Sequence, residues 1–249
     1  MISGMMATIA SAQPHEISGA PNSEIPIPAA SRLRNVDLKG PAGRLEALLN
    51  EGNPDAPFAA LVCHPHPLFG GSMHNKVVYS AMKTLNEPAW GLAWPVLRFN
   101  FRGTGLSHGT HDGKAETGDV LAALDWLENE YNRPVVAVGF SFGAAITLRA
   151  CCGRGSARES VRALAALGLP TQADCQKYRY PCLSECEIPK LFLSRDHDQF
   201  APAAQLEQVV AHAAEPNHLL FIPSADHFFS GLLQPMQQAL AGWLKEQLL

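Results

Sequence analysis

The chain has 249 residues, of which 47% are hydrophobic and 17% charged, with a formal net charge of −4. This balance is typical of one α/β domain with a sizeable core, and the weak acidic charge argues against a nucleic-acid-binding surface. No window approaches the ~18 consecutive apolar residues of a transmembrane helix. Residues 1–31 are rich in Pro, Ser and Gly and lack a basic start, so we expect a flexible N-terminal arm before a domain at 32–249.

Eight short apolar, β-rich runs are predicted to be strands. They are Leu33–Leu38, Arg44–Leu49, Phe58–Cys63, Trp94–Phe99, Val135–Phe140, Ala163–Leu167, Lys190–Ser194 and Leu219–Ile222. The turn signal KGPAG between the first two predicts an antiparallel hairpin. Helical stretches alternate with the later strands, at Lys76–Asn86, Thr117–Glu130, Phe142–Cys152, Ala203–Ala214 and Gly231–Leu248. This alternation predicts an α/β fold with a mostly parallel sheet and helices on both faces.

The six cysteines indicate a reducing environment. Cys63, Cys151 and Cys152 lie in apolar elements and are predicted to be buried thiols. Cys175, Cys182 and Cys186 lie in the irregular segment Thr171–Ile188, which is too short for a lid domain but could drape over a site. We interpret them as reduced, with a metal site or a disulfide among them as alternatives. The expected location is therefore the cytoplasm.

A G-x-S-x-G pattern follows the fifth predicted strand. Its residues are Gly139-Phe140-Ser141-Phe142-Gly143, where VVAVGF ends and a helix-forming run begins. In a nucleophile elbow the glycines allow strand and helix to pack closely, and the serine takes a strained conformation with an exposed Oγ. The pattern predicts that Ser141 is a nucleophile and that the N–H of Phe142 stabilises an oxyanion. The alternative is an ordinary loop serine.

A second oxyanion donor must come from the loop after the third strand, His64-Pro65-His66-Pro67-Leu68. Proline has no N–H, which leaves His66 or Leu68 as the donor. The two histidines could instead be metal ligands, or the loop could be a plain turn. No third ligand with matching spacing is near.

Acids and a histidine follow the last two predicted strands. Asp196 and Asp198 come after the seventh, and Asp226 and His227 after the eighth. Parallel strands end at one edge of the sheet, so a serine, an acid and a base would meet there, as a Ser-His-Asp triad requires. His227 is the predicted base. Asp226 is the least favoured acid because adjacent side chains rarely face each other, and Asp196 and Asp198 both remain candidates.

Five stretches carry a resemblance to the α/β-hydrolase superfamily, in particular to small lidless bacterial hydrolases related to dienelactone hydrolases and serine-aminopeptidase-like enzymes. They are CHPHPLFGGSMHNKVV, LRFNFRGTGLSHG, VGFSFGAA, DHDQFAP and PSADHFFSG. The resemblance implies an α/β-hydrolase fold of about eight strands without a large lid. It also implies Ser141 as nucleophile, Asp198 as acid, His227 as base, and His66 and Phe142 as oxyanion donors. Dienelactone hydrolases carry a cysteine where Ser141 stands, so dienelactone is not the expected substrate.

The predicted function is hydrolysis of short-chain carboxylic esters through an acyl-enzyme. Leu68, Phe69, Phe200 and Phe228 flank the predicted catalytic positions and are candidate pocket residues. No cofactor or metal is expected. The expected partner is a small-molecule ester, with no nucleic acid and no membrane, and a homodimer is left open. The alternatives are an amidase or peptidase using the same triad, or a non-catalytic binding protein on this fold.

Overall fold

The computed structural model describes residues 32–153, 159–173, 176–223 and 226–249. The predicted arm at 1–31 and Cys175 lie outside these ranges.

All eight predicted strands are present and belong to a single sheet. They are β1 (Leu33–Gly40), β2 (Gly43–Asn50), β3 (Ala59–Cys63), β4 (Val96–Phe99), β5 (Val135–Phe140), β6 (Val161–Leu167), β9 (Lys190–Arg195) and β10 (Asn217–Ile222). Their order across the sheet is β1-β2-β4-β3-β5-β6-β9-β10. A small hairpin of β7 (Gln172–Ala173) with β8 (Gln176–Lys177) lies outside this sheet.

The sheet is mostly parallel, as predicted. β1 and β2 form the expected antiparallel hairpin, and β2 pairs antiparallel with β4. The remaining neighbours, from β4 to β10, are all parallel. The carboxyl ends of six strands therefore meet at one edge, where open α/β sheets bind their ligands.

Helices cover both faces of the sheet. They are α1 (Lys76–Asn86), α2 (Glu116–Tyr131), α3 (Phe142–Cys152), α4 (Ala203–Ala211) and α5 (Leu233–Leu248). One core contains buried residues of α2, α3 and α4, and the other contains those of α1 and α5. No domain-sized lid is inserted within the described ranges, and none of their helices combines the length and the apolar character needed to cross a membrane.

The packing of α3 against the end of β3 leaves no room for a side chain at Gly143. A Cβ atom there would lie 2.5 Å from the backbone oxygens of both Cys63 and His64. Backbone atoms at the end of a paired strand cannot easily move aside for a methyl group. The second glycine of the G-x-S-x-G pattern is therefore required for α3 to start where it does.

His64 joins the end of β3 to the loop after β4. Its Nε2 accepts a hydrogen bond from Phe101 N–H at 2.9 Å, so its Nδ1 carries the proton and donates to the oxygen of Pro65 at 2.6 Å. The ring is fully buried, and burial lowers the pKa of His64 from 6.5 to about 4. Both ring nitrogens are used within the protein, so His64 has no nitrogen left to bind a metal ion in this conformation.

The cysteine prediction was wrong for two residues. Cys152, at the end of α3, and Cys186 form a disulfide with a Cα–Cα distance of 5.1 Å. They are 34 residues apart in sequence, and they meet because the segment after β6 folds back over the end of α3. Cys63 and Cys151 are buried and lie outside this disulfide, as predicted, and Cys182 also lies outside it. The disulfide removes one basis for the expected cytoplasmic location, which stays a prediction.

We expect Gly143→Ala to destabilise the fold by about 1–3 kcal/mol, because the added methyl group would clash with two strand-end carbonyls. Gly242→Ala is the matched control, since a Cβ at that α5 position would meet nothing within 4 Å. Removing a helical glycine should stabilise the control by roughly 0.5–1 kcal/mol. Urea unfolding measures both, and a Gly143→Ala protein as stable as the parent would contradict the packing argument.

We expect His64 to make the protein less stable as the pH falls. Because the folded pKa of about 4 lies below the ordinary 6.5, the unfolded chain binds a proton that the folded chain does not accept. Lowering the pH from about 7 to about 5 should therefore cost about 2 kcal/mol of unfolding free energy from this group. Urea titrations of the parent and of His64→Gln at the two pH values measure this, and an equal pH dependence in both would refute it.

Candidate active site

A pocket lies at the carboxyl edge of the parallel strands. Its volume is about 80 Å³. Four of its lining residues were predicted as catalytic or oxyanion residues, namely His66, Ser141, Phe142 and His227. The others are Pro65, Phe69, Asn75, Pro170, Tyr178, Phe200 and Phe228.

Ser141 occupies a strained turn between β5 and α3. Its backbone has φ 55° and ψ −119°, a conformation that a residue with a side chain rarely adopts. Its N–H donates to the carbonyl of Leu167 in β6 at 2.8 Å, and its own carbonyl accepts from Ala145 in the first turn of α3. At Gly139 a Cβ would lie 2.5 Å from the backbone of Ala144. The turn is thus held from both sides, and it presents Ser141 to the pocket.

Asp198 and His227 are brought together by the loops after β9 and β10. His227 Nδ1 lies 2.7 Å from Asp198 Oδ2, and both side chains are almost completely buried. The second oxygen of the carboxylate, Oδ1, accepts a hydrogen bond from Phe200 N–H at 2.9 Å. The carboxylate can therefore hold the imidazole in the tautomer that carries a proton on Nδ1 and leaves Nε2 as the acceptor.

The two competing acids lie elsewhere. The side chain of Asp196 is 41% exposed and lies 3.8 Å from His197 Nε2. Asp226 Oδ1 accepts hydrogen bonds from the N–H groups of Phe228 and Ser230, so Asp226 stabilises its own loop. Of the three candidate acids, Asp198 is the one that contacts His227.

Aromatic rings enclose the imidazole of His227. Phe140 stacks on it with a centroid distance of 5.1 Å, and Phe200 meets it edge-on at 4.8 Å. Within the described ranges, His227 Nε2 is buried and has no hydrogen-bond partner. Because His227 and Ser141 line the same pocket, Nε2 is the ring atom available for a proton from the serine or from a ligand.

The side chains of the two residues predicted to supply oxyanion donors contact each other. The ring centroids of His66 and Phe142 are 4.9 Å apart, and both residues line the pocket. Phe142 is the first residue of α3, where a backbone N–H has no acceptor within the helix. The Leu68 N–H, which the sequence left as an alternative donor, donates to His66 Nδ1 at 3.2 Å. This bond engages the Leu68 N–H within its own loop.

A buried histidine–glutamate pair supports this side of the pocket. The ring of His111 contacts those of His66 and Phe142 at centroid distances of 4.7 and 5.2 Å. Its Nδ1 lies 2.7 Å from Oε1 of Glu116, which is fully buried in α2. The sequence analysis missed this support, because neither residue belongs to a recognisable motif.

Arg195 is a buried cation at the end of β9. It is fully buried, and its guanidinium carbon lies 4.7 Å from the ring centroid of Phe229, two residues after His227. No described residue accepts a hydrogen bond from its side chain, and burial lowers its pKa despite the nearby charges of Asp226 and Asp198. Phe229 has a φ of 52°, so the stacked guanidinium packs against a strained residue of the loop that carries His227.

The structure corrects one of the four predicted pocket residues. Phe69, Phe200 and Phe228 line the pocket, but Leu68 does not, and it is 76% exposed. Leu68 lies in a short 3₁₀ turn, Pro67–Phe69, in which successive side chains point in different directions.

The sequence analysis did not identify Asn75, Tyr178, Pro65 or Pro170 as pocket residues. Tyr178 lies in the irregular segment that was predicted to drape over a site, and it forms part of the pocket lining. Within the described ranges, no group of three or more His, Cys, Asp or Glu side chains is arranged to hold a metal ion.

Comparison with known proteins assigns the chain to a family. Residues 70–239 match the model of the alpha/beta hydrolase domain. An uncharacterized protein of Rickettsia prowazekii, RP471, is 36% identical over 85% of this chain and 89% of its own length.

Two solved structures are similar over most of the chain. An alpha-beta serine hydrolase homologue from Coxiella burnetii is 30% identical with a TM-score of 0.72, covering 85% of this chain and 97% of its own. XC6422 from Xanthomonas campestris, described as a serine hydrolase without lid, is 29% identical with a TM-score of 0.71, covering 88% and 95%. The match to the domain model and the identity to these proteins confirm the resemblance noted in the sequence: the chain belongs to the alpha/beta hydrolase family.

Proposed function

We propose that this protein is a serine hydrolase that cleaves short-chain carboxylic esters through an acyl-enzyme. The observation that carries the proposal is the buried hydrogen bond of 2.7 Å between His227 and Asp198, in a pocket that Ser141 also lines. A nucleophilic serine needs a base to take its proton, and the base needs a fixed orientation. These three side chains have the chemistry for those roles.

The proposed reaction begins when Ser141 Oγ attacks the ester carbonyl and transfers its proton to His227 Nε2. Asp198 holds the imidazole and stabilises its positive charge without taking the proton itself. The imidazolium then gives the proton to the leaving alcohol as the C–O bond breaks, which leaves the acyl group on Ser141. Water then gives a proton to the same histidine and attacks the acyl carbonyl; as the bond to Ser141 Oγ breaks, the histidine returns the proton to that oxygen and the acid is released.

The negative charge that develops on the carbonyl oxygen needs donors that are already in place. We assign this role to the N–H groups of Phe142 and His66. Phe142 also lies at the N-terminus of α3, where the helix dipole favours negative charge.

The lining favours a neutral ester over a substrate with a free amine. A carboxylate is the usual partner of a protonated amine, and none of the described lining residues is acidic. The lining is mostly aromatic and proline, which suits neutral groups, and the pocket volume of about 80 Å³ suits a short acyl chain. A panel of p-nitrophenyl esters of increasing chain length, run beside aminoacyl-naphthylamides, tests this preference.

Replacing Ser141 by alanine should lower ester turnover by about 10⁴-fold or more, because only binding and oxyanion stabilisation would remain. A fluorophosphonate probe should label the parent protein and fail to label the variant. Folding should be retained, since alanine is smaller than serine at this turn. Near-normal turnover by the purified, folded variant would refute the serine mechanism.

The Asp198→Asn variant should lose nearly all of its activity, because an amide at this position favours the wrong tautomer of His227. The equivalent change in the trypsin triad lowers kcat by about 10⁴-fold. Asp196→Asn is the matched control, since its side chain is partly exposed and Asp198 occupies the position beside His227. The control should lose much less activity. The measurement is kcat for both folded variants at one pH, and the opposite ranking would reassign the acid to Asp196.

A further inference from the structure

The pocket combines aromatic walls with a small number of polar groups. Phe69, Phe142, Tyr178, Phe200 and Phe228 all line it. Aromatic rings pack favourably against other rings in offset or edge-on arrangements, and such pairs gain free energy beyond the area that they bury. In such a pocket a single hydrogen-bonding group fixes the orientation of the ligand.

Asn75 is a polar lining residue to which the proposed mechanism gives no role. It is the N-cap of α1, where its Oδ1 accepts a hydrogen bond from Val77 N–H at 2.9 Å. This bond assigns the amide orientation, because only the oxygen can accept. The Nδ2 group, with two N–H donors, therefore remains, and no described residue accepts a hydrogen bond from it.

The first turn of α1 contacts the loop that carries His227, the predicted base. Lys76 Nζ donates to Ser230 Oγ at 2.7 Å and lies 5.9 Å from the ring centroid of Phe228, next to His227. These contacts place Asn75 at the junction between the first turn of α1 and the His227 loop. The cap bond fixes its side chain there without a contribution from the ligand.

Resting on the proposed esterase function, we propose that Asn75 is a specificity-determining residue whose Nδ2 donates a hydrogen bond to an oxygen on an aromatic group of the substrate. The substrate class is then esters that carry an aromatic ring with an ether, hydroxyl or carbonyl oxygen. The aromatic residues that line the pocket pack against the ring of the substrate, and Asn75 Nδ2 donates a hydrogen bond to its oxygen.

The test uses benzyl acetates that carry a methoxy group at the ortho, meta or para position of the ring, so that the acyl group stays short. Each is paired with the ethyl-substituted ester, which has nearly the same shape but no oxygen. Titration of the released acid gives kcat/KM. The parent protein should prefer at least one methoxy ester over its ethyl partner by about 3- to 10-fold, the range expected for one neutral hydrogen bond.

Asn75→Ser is the decisive variant. Serine is as good an N-cap as asparagine and keeps the bond to Val77 N–H, but it removes the amide donor. The thermal midpoint should stay close to that of the parent, and the methoxy-to-ethyl ratio should fall to about one. Tyr178→Phe is the matched control, because it removes a different polar group from the pocket wall, and it should keep the ratio.

An unchanged ratio in Asn75→Ser, or a ratio lost in Tyr178→Phe, overturns the assignment to Asn75. Hydrolysis of cyclohexylmethyl acetate as fast as benzyl acetate by the parent overturns the aromatic class. Failure of the Asn75 assignment can be distinguished from failure of the proposed esterase function. Ester hydrolysis that depends on Ser141 but shows no methoxy preference refutes this inference alone, whereas absence of any hydrolysis and of fluorophosphonate labelling refutes the esterase itself.

Discussion

The tight turn from β5 into α3 is the constraint on which the rest of the site depends. Ser141 keeps its unfavourable backbone conformation only because β5 is paired with β3 and β6 on either side and nearly all of α3 is buried. Gly143 lets that helix approach the end of β3 without a side chain between them. The other site residues lie on loops that leave neighbouring strands, so their positions relative to Ser141 follow from the sheet order.

Much of this architecture could be predicted from the sequence, because its signals are local. A buried parallel strand must be a short apolar run, and all eight such runs are strands of the sheet. The start of α1 follows from the Asn75 cap, and its predicted and observed bounds agree. α4 ends at Ala211 instead of Ala214, because its last turns tighten to bonds such as Ala213 N–H to Val210 O as the chain approaches Pro216. The hydrophobic pattern of the sequence does not show where the hydrogen-bond spacing of a helix changes, so the end of α4 could not be predicted from it.

The features that could not be predicted depend on packing between distant segments. The contact of Asp198 with His227, and not of Asp196, depends on how two loops leave adjacent strands, and the residues alone left both acids open. The disulfide joins residues 34 positions apart, with a strand of the sheet between them. The sequence analysis assigned no role to Arg195, whose side chain is fully buried against Phe229. In each case the sequence shows the residue, but not the distant residue that it contacts in the folded protein.

The disulfide gives α3 a mechanical role in addition to its chemical one. One end of this helix begins directly after Ser141, and the other, at Cys152, is covalently joined to Cys186. The segment that leads to Cys186 also carries Tyr178, which forms part of the pocket wall. A helix of this length is a nearly inextensible rod of about 16 Å. The disulfide therefore links the helix that follows Ser141 covalently to the segment that carries Tyr178, so two parts of the pocket lining that are far apart in sequence share one covalent connection.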